Sequence, residues 1–111
     1  MSYIPLKWSG SEKKIARAAY DAAVAAALAR IMAELKRRAE AAKEPIDMWE
    51  IEDFLRNGRR DIDAMFTYSY SKLPDVFAYA IHMGYLREAQ LAGLADDKLS
   101  IIQRMVSFFR N

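Results

Sequence analysis

The chain has 111 residues, 53% of them hydrophobic and 29% charged, with a formal net charge of +2, one histidine and no cysteine. That length predicts a single domain over 1–111, and the apolar fraction excludes a disordered chain. The absence of cysteine excludes a disulfide scaffold, a thiolate zinc site, an iron–sulfur cluster and a cysteine nucleophile, and a net charge of +2 does not by itself imply nucleic acid.

The first ten residues hold one base, Lys7, and no continuous apolar run, which predicts no secretory signal and a cytoplasmic protein. A first helix then opens at Ser9. Its hydroxyl can accept the free amide of Glu12 while that glutamate reaches back, forming a capping box. The helix runs to about Lys43, rich in alanines that lose no side-chain entropy on becoming helical. No uncharged stretch approaches the roughly 20 residues that span a bilayer, and an alanine face buries too little to hold on a membrane surface. At 1.5 Å per residue the helix is about 48 Å long, too long for one small domain to cover. Two apolar stripes, Ile15, Ala19, Ala22, Ala26 and Tyr20, Val24, Ala27, Ile31, Leu35, predict that one meets the second helix and the other a second chain, as an antiparallel or crossed homodimer. The alternative is a helix broken near Arg30, in a monomeric bundle.

A second helix is predicted from Asp47, with Glu50 three residues on as another capping box. At about 100° per residue, Ile51, Phe54, Leu55, Gly58, Ile62 and Met65 share one face, expected to be buried. The opposite face carries Trp49 amid Glu52, Asp53, Arg56, Arg59, Arg60 and Asp63. Tryptophan and arginine dominate binding hot spots, so this face is the candidate interface; Asp53 can pair with Arg56, with Arg60 or with an arginine of another chain. The alternative puts Trp49 under the end of the first helix, beside a solvated ladder of charges. Residues 11–43 carry eight bases against four acids and residues 44–63 three bases against seven acids, so the two segments attract when packed together.

After the irregular stretch 68–71, a third helix holds Val76, Phe77, Ala80, Ile81 and Met83 and stops at Gly84, a left-handed cap. A short helical turn around Arg87–Leu91 leads to a last helix from about Asp96, with Leu99, Ile102, Met105, Val106 and Phe109 as its stripe. No strand is required. The predicted fold is all-α: a long stalk of two helices, about 9–66, and a small helical head, about 67–110.

The residues predict no enzyme. His82 lies in an apolar helix with no serine or cysteine nucleophile in a recognisable motif. Glu50 with Asp53, or Asp96 with Asp97, is completed to a metal shell by no histidine or glycine-turn loop, and no Gly-rich phosphate loop occurs. Lys36-Arg37-Arg38 suits a helix C-terminus on dipole grounds as well as it suits phosphate.

The run Asp47-Met-Trp-Glu-Ile-Glu-Asp-Phe-Leu-Arg-Asn-Gly-Arg-Arg-Asp-Ile-Asp63 resembles the fluorescence recovery proteins, small all-helical dimers of cyanobacteria. Trp8-Ser-x-x-Glu12-Lys-Lys-Ile-Ala16 and Leu91-x-x-Leu94-x-Asp-Asp97-Lys98 are similar to the same family, and the likeness runs without a gap from Trp8 to about Met105. The resemblance implies a non-enzymatic regulator without cofactor that binds the photoactivated orange carotenoid protein, speeds its return to the orange form and releases it from the phycobilisome. By position, Trp49, Asp53 and Arg59 match the family's dimer-interface and activity residues, although an ideal wheel puts Arg60 closer to Trp49. The resemblance also implies a partner-binding head, to which Asp75, Lys98 and Ile101 belong. Departures from the pattern are Glu52 for a frequent histidine, Val24, Ala26 and Ala27 for a tyrosine followed by Arg-Glu, Asp75 for an apolar aromatic and Ile101 for a base. They leave open a dimeric scaffold of the same fold that binds another bacterial protein.

Overall fold

The computed structural model describes residues 6–110; the expectation of no secretory signal rests partly on residues outside that range. Four helices follow one another: α1 Gly10–Ala41, α2 Pro45–Met65, α3 Leu73–Met83 and α4 Asp96–Arg110, with a 3-10 turn at Glu88–Leu91 between the last two. The described residues are all-helical, as predicted. The molecule measures 54 × 29 × 24 Å with a radius of gyration of 16.9 Å, well above the roughly 13 Å of a compact chain of this size. The elongation comes from α1.

α1 is continuous over 32 residues and does not break near Arg30. Its capping box forms as predicted: the Glu12 amide donates to the Ser9 hydroxyl at 3.1 Å and the Ser9 amide donates to the Glu12 carboxylate at 2.9 Å. Arg30 instead reaches the head. Its guanidinium donates to the Met83 carbonyl at 2.9 Å and lies over the Tyr85 ring at 4.4 Å, satisfying a carbonyl that the end of α3 leaves without an intrahelical donor. Gly84 ends α3 at φ 81°, a left-handed position that a Cβ would strain.

The buried face of α1 is Ala16, Ala19, Ala23 and Ala27, each three or four residues from the last. It packs on the head, where Leu73, Phe77, Leu91, Ile102 and Val106 fill the core. The second predicted stripe does meet α2, with Ile31 against Gly58 and Tyr20 edge-on, at 5.6 Å, to Phe66 that follows its last turn. Of the first, Ala19 is buried in the head's core and Ile15 packs against it, because small alanine side chains let α3 and the 3-10 turn approach α1 closely. Closest of all is Gly93, at φ 103°, where a Cβ would stand 2.6 Å from Ile15 Cδ1.

Two expectations for α2 are corrected. Pro45 occupies its first turn and Asp47 is not the cap; its carboxylate accepts the amides of Lys43 at 2.9 Å and Glu44 at 3.0 Å. Proline has no amide to satisfy and its fixed φ starts the helix earlier. The predicted buried face is only half-buried, Leu55 is exposed, and α2 contains no buried residue. Only α1 supports it closely, and one helix cannot cover a whole face of another.

Candidate interaction surface

α2 turns Trp49 into solvent, 59% exposed, so the reading that tucks it under the end of α1 fails. Around it, Arg56 bridges Glu52 and Asp53, the latter at 3.6 Å. Asp53 therefore pairs with Arg56 and not with Arg60. Arg59 and Arg60 have no carboxylate within 4.0 Å among the described residues. The face is built of exposed charges of both signs round an indole, with Ile46, Met48 and Leu55 also exposed on α2 and Leu28 and Met32 on α1. Exposed ion pairs stabilise a helix by only a few tenths of a kcal/mol, so they do not explain so much uncovered apolar surface.

The basic run at the end of α1 is occupied internally. Glu34 accepts Arg37 at 2.5 Å and Arg38 at 2.9 Å, and Arg38 lies over the Phe54 ring at 4.4 Å. Arg37 and then Arg38 hold the Glu34 carboxyl down to about 2. Glu34 thus holds Arg38 along α1, and the Arg38–Phe54 contact ties the end of α1 to α2.

The head residues divide. Asp75 is exposed in the first turn of α3, where its charge suits the helix dipole. Ile101 is half-buried. Lys98 is 2% exposed, which corrects its assignment to a partner-binding surface. Its ammonium lies 3.0 Å from Glu12 and 5.2 Å from the centre of the Trp8 ring. Glu12 also accepts the Ala95 amide at 2.9 Å, so one carboxylate clasps the start of α1 to the start of α4. Hydrogen bonds from Ser9, Ala95 and Lys98 hold its carboxyl down to about 2 against the opposing effect of burial.

Sequence reasoning missed two features. One is this clasp, whose members lie far apart along the chain. The other is a groove of about 1420 Å³ between α2 and the head, into which Asp75 faces but not Lys98 or Ile101. His82 is exposed and packs beside Phe109 at 5.3 Å and Tyr79 at 6.2 Å. No cluster of three metal-ligating side chains and no helix long and apolar enough to cross a membrane occurs among the described residues.

A stalk with uncovered apolar and paired charged surface, attached to a closed helical head, is the arrangement of a small all-helical protein. Residues 8–106 match the family described as photoprotection regulator fluorescence recovery protein, and the chain belongs to that family. It is 30% identical over 98 residues to the fluorescence recovery protein of Synechocystis sp. (strain ATCC 27184 / PCC 6803 / Kazusa), an overlap of 88% of this chain and 90% of that one. The solved structure of the Fremyella diplosiphon fluorescence recovery protein is similar with a TM-score of 0.86 and 33% identity, over 91% of this chain and 99% of that one. The Synechocystis structure gives 0.85 and 29% over the same shares.

Proposed function

We propose that this photoprotection regulator works as a homodimer that binds the photoactivated orange carotenoid protein, accelerates its return to the orange form and so releases it from the phycobilisome. The observation that carries the dimer is α2, which has no buried residue and holds Trp49 open to solvent. On this reading the stalks of two chains pair through Trp49, Asp53, Arg59 and their neighbours Glu52, Arg56 and Arg60, with Arg59 and Arg60 meeting carboxylates of the partner. The mechanism needs no chemistry and no cofactor: a protein that prefers one arrangement of its partner shifts the partner's equilibrium by its differential affinity. Of the head positions, Asp75 and Ile101 remain candidates for contact with the carotenoid protein.

Asp75 supports a second reading. An exposed carboxylate stands where the family pattern has an apolar aromatic, which favours a changed partner on a retained dimer. The experiment that separates the two is the dark recovery of a photoactivated orange carotenoid protein, followed by absorbance with and without stoichiometric protein. Acceleration, lost in Trp49→Ala and Arg59→Ala, is the expected result. No acceleration by a well-folded dimer overturns the first reading in favour of the second.

A further inference from the structure

The groove between stalk and head shares Asp53 with the Trp49 face and otherwise lies on a different side of α2. At about 100° per residue, Phe54 and Asp61 sit within about 20° of each other on α2, while Trp49 and Arg59 are each about 140° from Phe54. A chain paired through Trp49 therefore reaches this side of α2 at Asp53 and leaves Phe54 and Asp61 unaddressed. Phe54 and Met65 of α2 form one wall, and Tyr79 of α3 with Met105, Phe108 and Phe109 of α4 the other. Phe108 is 78% exposed, a large apolar side chain held at the rim with nothing of its own chain upon it.

Charge on this groove is net negative, with five carboxylates in the lining against three bases. Glu34 pairs with Arg37 and Arg38 and Asp53 with Arg56, whereas Arg30 donates to the neutral Met83 carbonyl, lies over the Tyr85 ring and keeps its charge. Glu50, Asp61 and Asp75 have no ion-pair partner within 4.0 Å among the described residues, and the bases that share the lining with them outside ion pairs are Arg30 and Lys72. A net negative lining stands out in a chain whose overall charge is +2. Three carboxylates above an apolar floor suit an occupant with cations along an apolar face.

Size and secondary structure narrow the occupant. At about 1420 Å³ the groove exceeds the roughly 300–1,000 Å³ of small-molecule pockets. No sheet edge exists among the described residues, which leaves no template for strand addition. An α-helix about 10–12 Å thick, laying its apolar face between two walls, is the mode that also brings a row of side-chain cations to the carboxylates at the rim. We propose that the groove between stalk and head is a docking site for a basic amphipathic helix of a partner protein.

The probe is a labelled leucine–lysine peptide of about four helical turns, titrated with the full chain and followed by fluorescence anisotropy, beside its leucine–glutamate counterpart. Saturable binding of the lysine peptide alone is expected, with Asp61→Asn/Asp75→Asn weakening it about tenfold and the off-groove pair Glu40→Gln/Glu88→Gln, of equal charge change, by less than about twofold. Phe108→Ser/Phe109→Ser should weaken it as well, and Trp49→Ala should not. Equal loss in the two charge pairs, binding of the glutamate peptide, or loss with Trp49→Ala each overturns the proposal. So does a fall in molar mass of the Phe108→Ser/Phe109→Ser protein without peptide, which would make a second copy the occupant.

Discussion

The head and the distal stalk solve the same problem in opposite ways. In the head, α3 and the 3-10 turn close over the alanine face of α1 with α4 packed on α3, and Phe77, Leu73, Leu91 and Ile102 have almost no exposed surface. In the stalk, α2 lies on the far half of α1 with no buried residue, and Leu28, Met32, Met48, Trp49 and Leu55 remain in solvent. The same chain thus builds one region that is complete by itself and one that is sufficient only as a surface. Apolar area left uncovered in a helical protein marks where another molecule belongs.

The largest effect that sharpens this contrast is Phe77→Ala, which should cost about 3–5 kcal/mol in urea unfolding, whereas Leu55→Ala in the stalk should cost less than about 1 kcal/mol. Comparable losses would show that the two regions unfold on the same footing. Next is Gly93→Ala: its positive φ and the 2.6 Å approach to Ile15 predict a loss of about 1 kcal/mol or more. A Gly10→Ala control, with nothing within 4 Å of its Cβ, should be tolerated.

Acid should loosen both regions, through different residues. Glu12 in the head and Glu34 in the stalk are held down to about 2 from an ordinary 4.5, and the Lys43 and Glu44 amides lower Asp47. A carboxylate depressed in the folded state stabilises fully above its ordinary value, and that stability is lost as pH falls from about 4.5 towards 2. Glu12→Gln should therefore lower the urea midpoint at neutral pH, because it takes from buried Lys98 the nearer of its two carboxylates, Glu12 at 3.0 Å, and leaves only the more exposed Asp97 at 3.5 Å, and the difference from the parent should shrink in acid. Glu34→Gln, on exposed partners, should shift the midpoint much less. The smallest effect on folding belongs to Trp49→Ala, within about 0.5 kcal/mol for the isolated chain. Its signature is instead a fall in molar mass by light scattering at micromolar concentration; an unchanged dimer would remove Trp49 from the interface.

What the sequence made legible was whatever is decided within a few residues. The Ser9–Glu12 box and the Gly84 cap depend on neighbours three or four positions away, and both are found where the residue types put them. Asp47 was legible as a capping carboxylate but misplaced by one helical turn, because Pro45 competes for the start of α2. Which alanine stripe of α1 is buried could not be read, since alanines occur on every side and the choice is made by Phe77 and Leu91 across the core. Lys98 was beyond local reading for a similar reason: the carboxylate that buries it also accepts an amide 83 positions away. Trp49 was legible because a large aromatic among charges breaks helical amphipathicity whatever packs nearby.

One further consequence lies in the unbroken course of α1. Its first half completes the head and its second half carries the stalk, so order along the chain and order in space do not coincide. The start of the sequence is bound to its end through Glu12 and Lys98, while the middle, α2, is the segment least tied to the rest. Shortening the chain from its beginning would open the core; excising its centre would spare it. A piece of this protein that keeps the head must therefore keep both ends, and what it can most readily surrender is the part that faces other molecules.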